Sequence, residues 1–306
     1  MRSAPDALLN GNLKHAEQAA LFYFFPLLLP RDDMSDTDDL YSIVSPDTPT
    51  TCTQSRSADC GAAAEIGGIL RVGLPGDYRP FAMKDPDAPS GYSGHDVELL
   101  EALGKAAGLI VVFLPTSWPD LERDLLAGRF DAAAGGLTPT TARAACGRFL
   151  PPYAPFRKVA LVRRCDADRF PTPAALDLPD VRVVKNPGGT NEMWVDEHFS
   201  RAYVATCPVN EAIPGLIADG VGDVMITDAF EADWYAAHDK RLKAIFRGVD
   251  GEPALTPVQW KAILVHETMK RTKHSRRPPL YERLLSAWER LEEAGEMARL
   301  AQKWFR

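Results

Sequence analysis

The sequence predicts an α/β protein made of two lobes with a ligand cleft between them. From about residue 68, short apolar segments alternate with segments whose apolar residues recur at helical spacing, as in a sheet flanked by helices. This alternation occurs twice, before and after about residue 158. Glycines, hydroxyls and charged residues follow several apolar segments, at the strand ends where open α/β sheets place their ligand sites.

The apolar segments are predicted to be strands of parallel sheets. Each is five or six residues long, and short apolar segments that alternate with amphipathic helical segments are the pattern of a parallel α/β sheet. The predicted strands are 69–74, 109–114, 130–134, 159–163, 181–185, 202–206 and 223–227, with a further strand through 261–265.

Helices are predicted between these strands. Val97, Leu100, Leu103 and Ala107 recur every three or four residues and would share one helix face, and a similar group follows at 121–126. Two helices, over 279–291 and around 297–304, should close the chain. We expect residues 68–157 and 254–306 to form the first lobe and residues 158–253 to form the second.

Residues 1–67 are predicted to be a disordered leader with an atypical targeting character. They hold ten acidic residues against four basic ones, so most of the net charge of −7 belongs to them. The apolar run 19–30 is too short to span a membrane and resembles the core of a secretion signal, but no small-residue cleavage site follows it. The leader leaves open a periplasmic or secreted location and a cytoplasmic one, and no stable membrane insertion is expected.

The composition argues against nucleic-acid and metal partners. A basic cluster within 270–277 has no interleaved aromatic residues, so we interpret it as a solvated loop. The cysteines, which are Cys52, Cys60, Cys146, Cys165 and Cys207, lack metal-ligand spacing. Cys165 and Cys207 could pair in an oxidising compartment, but we expect buried free thiols. The oligomeric state stays open.

The segment Asn-Pro-Gly-Gly-Thr-Asn-Glu at 186–192 is the strongest candidate for a ligand site. It joins a predicted strand to a helix, so its glycines would let a ligand approach the backbone while the first helical amides face an anion. Thr190 is expected to cap this helix. Glu192 would either repel an anionic ligand or, when protonated, donate a proton to it.

Aromatic side chains follow the first two predicted strands. Gly-Asp-Tyr-Arg-Pro-Phe contains Tyr78 and Phe81, and Thr-Ser-Trp-Pro contains Trp118. Because both segments lie at strand ends, these rings are expected to flank a ligand that has an apolar or ring-shaped body.

A carboxylate site is predicted after the third strand, in segment 135–143. Thr138 is expected to be the N-cap of a helix with proline as its first residue, and Arg143 follows about one turn later. Free helix amides, hydroxyls and a guanidinium that can make a bidentate pair together suit a carboxylate.

Taken in order with segments 91–97 and 225–232, these motifs resemble those of cyclohexadienyl dehydratases. Those enzymes are similar to the family 3 solute-binding proteins, so the resemblance implies the two-lobed type II periplasmic-binding fold. It covers roughly residues 68–250. Arg143 and Asp228 fit any amino-acid-binding member, whereas Thr-Ser-Trp-Pro with Asn-Pro-Gly-Gly-Thr-Asn-Glu is more specific to the dehydratases.

The resemblance implies a cofactor-independent reaction, with no metal, in which prephenate or arogenate loses its ring hydroxyl and ring carboxylate. Glu192 would be the general acid, and burial in a closed cleft would keep it protonated near neutral pH. The substrate-binding residues that the resemblance implies are Tyr78, Phe81, Trp118, Thr138, Arg143, Asn186, Gly189, Thr190, Asn191 and Asp228.

Each of these assignments has an alternative that the sequence leaves open. Glu192 could be a first-turn acid that the helix dipole favours, Arg143 a surface arginine, and Asp228 an N-cap. For the whole chain, the alternative is a non-catalytic family 3 solute-binding protein that delivers a polar amino acid to an ABC transporter. Asp228 could meet the amino group of arogenate or of such a ligand. Lys261 lies where the family carries a lysine, but its surroundings match loosely, so it is not assigned a role.

Overall fold

The computed structural model describes residues 68–249, 251–266 and 278–305, and these form two α/β lobes as expected. The predicted leader, with Cys52, Cys60 and the apolar run 19–30, lies outside the described residues, as does the basic cluster 270–277. Within the described ranges, none of the helices has the length and apolar character needed to cross a membrane.

The strands and helices are short and are numbered in chain order. The strands are β1 (Ile69–Leu74), β2 (Asp77–Tyr78), β3 (Ala82–Lys84), β4 (Tyr92–Ser93), β5 (Ile110–Pro115), β6 (Ala132–Ala133), β7 (Gly147–Phe149), β8 (Ala154–Phe156), β9 (Lys158–Arg163), β10 (Arg182–Lys185), β11 (Tyr203–Thr206), β12 (Val224–Asp228), β13 (Leu242–Ile245), β14 (Gln259–Lys261) and β15 (Leu264–His266). The helices are α1 (His95–Ala107), α2 (Leu121–Leu126), α3 (Thr141–Ala144), α4 (Gly189–His198), α5 (Ile213–Ala218), α6 (Ala229–His238), α7 (Leu280–Glu293) and α8 (Glu296–Trp304), and short 3₁₀ helices lie at Arg164–Arg169, Pro173–Leu176 and Asn210–Ala212. The predicted helices at 97–107, 279–291 and 297–304 are confirmed as α1, α7 and α8.

Each lobe is built on a five-stranded sheet. The first has the strand order β5-β1-β6-β15-β7, and the second has the order β11-β10-β12-β9-β13. Strands β1, β5 and β6 are parallel, as are β10, β11 and β12, but β15 and β9 pair with their neighbours in antiparallel fashion. The prediction of parallel sheets is therefore wrong for these strands, and both sheets are mixed.

The antiparallel strands are those that carry the chain between the lobes. The chain leaves the first sheet through β8 and enters the second as β9, and it returns from β13 through β14 to β15. Strands β8 and β14 pair antiparallel to each other. A strand that arrives from the other lobe enters its sheet at the edge where the parallel strands end. It therefore runs antiparallel to those strands. The predicted single strand over 261–265 is accordingly two strands, broken at Ala262 and Ile263.

Both sheets are covered on both faces, which explains their continuous apolar strands. In β9, Val159 and Leu161 pack on one side with α5 and α6, while Ala160 and Val162 pack on the other side with α4. In the first lobe, Ala132 of β6 packs in the cluster that includes α1 and α7, and the next residue of the strand packs with α2.

The described cysteines are free. Cys146 and Cys207 are buried, as expected, but Cys165 is exposed. The expectation of a buried thiol at Cys165 is wrong because this residue lies in a 3₁₀ helix, after β9, that buries none of its side chains.

Asp223 ties together the strand ends of the second lobe. Its carboxylate is almost fully buried and accepts hydrogen bonds from the backbone and guanidinium of Arg182, each 2.9 Å long, and from Arg163 at 2.5 Å. Burial alone would raise the pKa of Asp223, but the hydrogen bonds from Arg182 and Arg163 outweigh it and hold the pKa well below its usual range.

Replacing Asp223 with alanine should destabilise the protein by about 3 kcal/mol, because it leaves Arg163 and a backbone amide without their buried acceptor. The matched control is Asp219→Ala, which removes an exposed carboxylate that also pairs with an arginine, Arg241. That change should cost less than about 1 kcal/mol. Urea unfolding of the two variants measures the difference, and equal losses would contradict the buried network.

Candidate functional site

A pocket lies between the two lobes, where the segments after β1, β5, β6, β10 and β11 meet the end of β12. Of the predicted site residues, all but Phe81 and Glu192 line it. The lining residues are Tyr78, Trp118, Gly136, Thr138, Arg143, Asn186, Gly188, Gly189, Thr190, Asn191, Asn210, Asp228 and Lys261.

Phe81 lies behind the pocket wall instead of flanking a ligand. Its side chain is fully buried and stacks on Tyr78, with ring centroids 5.4 Å apart and planes inclined by 14°. Gly136 packs closely against the same rings. A Cβ at this position would come within 2.4 Å of the Tyr78 ring, so a larger residue would not fit there. Phe81 therefore fixes the orientation of Tyr78, and Tyr78 forms the pocket surface.

Arg143 is buried, which rules out the surface alternative. It is 3% exposed, its Nε donates to Glu122 Oε1 at 2.9 Å, and its Nη1 donates to the carbonyl of Thr138 at 3.0 Å. These two bonds hold the guanidinium in place at the pocket wall. A guanidinium fixed in this way is arranged in advance for an anionic ligand.

The N-cap of the short helix α3 is Thr140 and not Thr138. Thr140 has an extended backbone, and its Oγ1 accepts from the amide of Arg143 at 3.2 Å, so the helix starts two residues later than predicted. Thr138 is thereby free for the pocket. Its hydroxyl oxygen accepts from Lys261 Nζ at 3.2 Å.

Asp228 stands at the centre of the site, enclosed by two buried lysines. Lys158 Nζ lies 3.1 Å from Oδ1, Lys261 Nζ lies 2.5 Å from Oδ2, and the Tyr78 hydroxyl also donates to Oδ2. All three charged side chains are at most 3% exposed. Asp228 also precedes α6 as its N-cap, but its side chain makes no capping hydrogen bond.

The mutual pairing of these groups sets their ionisation. Burial alone would raise the pKa of Asp228, but Lys158 and Lys261 outweigh it and hold the pKa well below its usual range. Burial lowers the pKa of Lys261 to about 8 against the opposing attraction of Asp228. At neutral pH the carboxylate is ionised and Lys261 is mainly a cation.

Lys158 and Lys261 are the functional residues that sequence reasoning missed or set aside. Each is a single lysine beside an otherwise apolar segment, and neither has an acidic residue near it in sequence. One feature of the sequence could have indicated them: each is a charged residue at the end of an apolar segment, and a charge buried there needs a partner of opposite charge. The partner, Asp228, lies 70 residues from Lys158 along the chain, so only folding brings the pair together.

The glycine turn begins α4 as predicted, but Gly188 is the N-cap and Thr190 does not cap the helix. Gly188 has φ 75°, and a Cβ on it would come within 2.7 Å of the Pro119 backbone nitrogen. Glycine is thus needed where this turn meets the Trp118 segment of the other lobe. The Thr190 hydroxyl instead accepts from Lys158 Nζ at 3.1 Å.

Glu192 lies outside the pocket lining and is not buried. Its side chain is 30% exposed, Oε2 accepts from the Gly188 amide at 2.6 Å, and Oε1 lies 3.2 Å from Lys185 Nζ. The burial expected to keep this carboxyl protonated is therefore absent in this arrangement. The contact with Gly188 is the one made by a first-turn acid that satisfies a free helix amide.

A second polar cluster lies behind Trp118 and was not predicted. Trp118 Nε1 donates to Asp77 Oδ1 at 2.9 Å, and the Asn210 side-chain amide donates to the Asp77 carbonyl at 3.1 Å and to Glu231 Oε1 at 2.8 Å. Glu231 is fully buried and also contacts the Thr227 hydroxyl. Burial raises the pKa of Glu231 to about 8, so it is protonated at neutral pH.

Comparisons with known proteins identify a family and several similar proteins. The family described as bacterial extracellular solute-binding proteins, family 3, matches residues 70–306. A cyclohexadienyl dehydratase of Pseudomonas aeruginosa is 38% identical over 165 residues, which are 54% of this chain and 61% of that protein. An L-cystine-binding protein of Bacillus subtilis is 24% identical over 259 residues, 82% of this chain and 86% of the relative.

A solved structure of similar fold is that of an ancestral amino acid-binding protein described as a precursor of cyclohexadienyl dehydratase. It has a TM-score of 0.67 and 28% identity, and the match covers 78% of this chain and 96% of that one. The chain thus spans nearly all of this binding protein but only 61% of the dehydratase that it matches.

Glu231→Gln should change how stability depends on pH. Because the pKa of Glu231 is about 8 in the folded protein against a usual 4.5, only the folded state keeps the proton between these values. Stability should therefore fall as pH rises from about 4.5 to about 8, by up to about 1.4 kcal/mol per pH unit from this group. Glutamine cannot ionise, so the variant should lack this contribution.

The measurement is chemical unfolding of both proteins at several pH values. The stability of Glu231→Gln relative to the wild type should increase from pH 5 to pH 8, because the difference removes contributions from all other titrating groups. A difference that does not vary with pH would contradict a protonated Glu231.

Proposed function

We propose that this chain, which belongs to the bacterial extracellular solute-binding proteins of family 3, is a cofactor-independent dehydratase that converts prephenate to phenylpyruvate. Its two lobes have the type II periplasmic-binding fold. The observation that carries the proposal is the state of Asp228. The carboxylate that could receive the amino group of a bound amino acid is already paired with Lys158 and Lys261.

This pairing favours a ligand with two carboxylates and no ammonium group. Both oxygens of Asp228 already accept from lysines, so an ammonium group would meet a carboxylate that is neutralised by two neighbouring cations. Arg143 and Lys261 present cations to the pocket, and the first amides of α4 have no acceptor within their own helix. Prephenate is a dicarboxylate without an amino group, whereas arogenate carries one.

The two lobes offer one anion position each. The first consists of Arg143 with Lys261 and Thr138, and the second consists of the α4 amides, with Lys158 behind Thr190. A dianion that binds both positions would bridge the lobes and hold them closed. Its ring would then lie near Tyr78 and Trp118, whose own rings are perpendicular with centroids 6.0 Å apart.

The reaction needs orientation and one proton. The ring carboxylate leaves as carbon dioxide, its bonding electrons move through the ring, and the carbon–oxygen bond to the ring hydroxyl breaks. The hydroxyl takes one proton and leaves as water, so a dianion and a proton give phenylpyruvate, carbon dioxide and water. Aromatisation drives the step, and the protein supplies the proton and fixes both carboxylates.

Glu192 is our candidate for the proton donor. It follows Asn191, which lines the pocket, and the proposal requires its side chain to turn from Gly188 into the cleft when substrate binds.

A second candidate function is that of a receptor for a polar amino acid that serves an ABC transporter. One observation favours it: Gly188 and Lys185 hold Glu192 outside the pocket lining. Relatives named as amino-acid-binding proteins support it as well. The pairing of Asp228 with two lysines weighs against it, so the enzyme remains the preferred proposal.

Glu192→Gln should reduce kcat for phenylpyruvate formation by about 100-fold or more, since glutamine keeps the shape of the side chain but carries no transferable proton. Turnover is followed spectrophotometrically, and prephenate binding by calorimetry. The dissociation constant should change by less than about threefold, because a group that acts in the transition state contributes little to ground-state binding.

The matched control for this change is Glu197→Gln, which removes an exposed carboxylate from the same helix. Its turnover should equal that of the wild type. The wild type could instead bind an amino acid stoichiometrically and turn over neither prephenate nor arogenate. That result would contradict the proposed enzyme and support the receptor function.

Lys158→Met should narrow a preference for prephenate over arogenate. The wild type should have a higher kcat/KM for prephenate, and the variant should lose about tenfold or more of it, because Lys158 supplies a positive charge behind the second anion position and holds Thr190 and Asn191 there. Because the change uncovers Asp228 Oδ1 for the ammonium group, arogenate should lose less. The control is Lys240→Met, at an exposed lysine of the same lobe, and an unchanged ratio in Lys158→Met would contradict the charge argument.

A further inference from the structure

Asn210 has a buried amide oxygen without a partner. The residue is 3% exposed and lines the pocket, and its Oδ1 makes no hydrogen bond within the described part of the chain. A buried acceptor left unsatisfied costs about 1–3 kcal/mol, so such atoms are rare in native proteins and call for a physical explanation.

The orientation of this amide is fixed by its surroundings. The nitrogen donates to the backbone carbonyl of Asp77 at 3.1 Å, and a carbonyl can only accept. The nitrogen also donates to Glu231 Oε1 at 2.8 Å. Exchanging the oxygen and nitrogen would set two acceptors against each other at Asp77, so Oδ1 must point away from Asp77 and Glu231.

Among the described residues that line the pocket, Asn210 Oδ1 differs from the other polar groups in being both buried and unsatisfied. Arg143, Lys261 and the α4 amides are donors, which suit the carboxylates of a ligand. Several lining oxygens are already engaged by lysines, namely those of Thr138, Thr190, Asn191 and Asp228. A ligand donor that reached Asn210 as the lobes close around it would supply the partner that Oδ1 lacks.

We propose that Asn210 Oδ1 accepts the hydrogen of the substrate's ring hydroxyl and so determines specificity for a hydroxyl-bearing dicarboxylate. This inference rests on the proposed function and assigns the hydroxyl end of the same pocket. Glu231 is a positioning residue: its protonated carboxyl supplies a neutral acceptor that holds the Asn210 nitrogen.

The contact has a chemical consequence for the leaving group. With its hydrogen directed to Asn210, the hydroxyl oxygen keeps its lone pairs free for the incoming proton of the general acid. The proton adds to that oxygen, the carbon–oxygen bond breaks with its electron pair, and water leaves. Asn210 gains and loses no proton, so it orients the hydroxyl and does not serve as the acid.

The test compares two ligands on each protein by calorimetry. One ligand is prephenate, studied at low temperature in the Glu192→Gln background to limit turnover. The other is its deoxy analogue, the same dianion with a CH₂ group in place of the ring C–OH. In this background, prephenate should bind about tenfold more tightly than the analogue, as expected for one buried hydrogen bond.

Adding Asn210→Ala should remove this difference, with prephenate weakened about tenfold and the analogue changed by less than about twofold. Because the two ligands report on the same protein, general damage to the pocket would weaken both equally and overturn the inference. If Asn210→Ala does not fold, the comparison of the two ligands on Glu192→Gln alone still tests the inference. Equal binding of prephenate and its deoxy analogue to Glu192→Gln would overturn it.

The outcomes separate this inference from the proposed function. Prephenate turnover by the wild type with equal binding of the two ligands would leave the enzyme in place and remove the role of Asn210. If the wild type neither binds nor converts prephenate, both proposals fail.

Discussion

The pairing of Asp228 with Lys158 and Lys261 is the interaction on which the rest of the site depends. Asp228 ends β12, Lys158 begins β9, and Lys261 ends β14, so the pairs join two strands of the second sheet to the strand that returns to the first. The hydroxyl of Tyr78 adds a contact from the first lobe. Because charges buried this deeply are stable only when paired, these residues must meet for the cleft to form.

Both lysines also bind other residues of the site, so their pairing with Asp228 fixes more of the pocket. Lys158 also binds Thr190 and Asn191 and thereby fixes the start of α4, while Lys261 binds Thr138 beside Arg143. The side chains of both proposed anion positions are therefore held by one central carboxylate. In the function that we propose, Asp228 has a structural role and its paired lysines favour carboxylates as ligands.

The polar cluster of Asp77, Asn210 and Glu231 complements this centre from the other side of Tyr78 and Trp118. A neutral Glu231 avoids a further negative charge close to Asp228, and burial is what keeps it neutral. The pocket thus combines donors that suit carboxylates with the side-chain amide of Asn210. In the function that we propose, a ligand is recognised by both features together.

The sequence by itself determined the two-lobed α/β fold and most strands and helices, because apolar periodicity and glycine turns are local properties. Nine of the lining residues were predicted from motifs at strand ends together with the family resemblance that those motifs carry. It could not give the direction of β9 and β15, the cap at Thr140 or the place of Glu192, since these follow from how the lobes are connected and packed. Only the tertiary structure paired Lys158 and Lys261 with Asp228 and left Asn210 with an open acceptor. Those contacts join residues far apart in the chain, so local sequence carries no record of them.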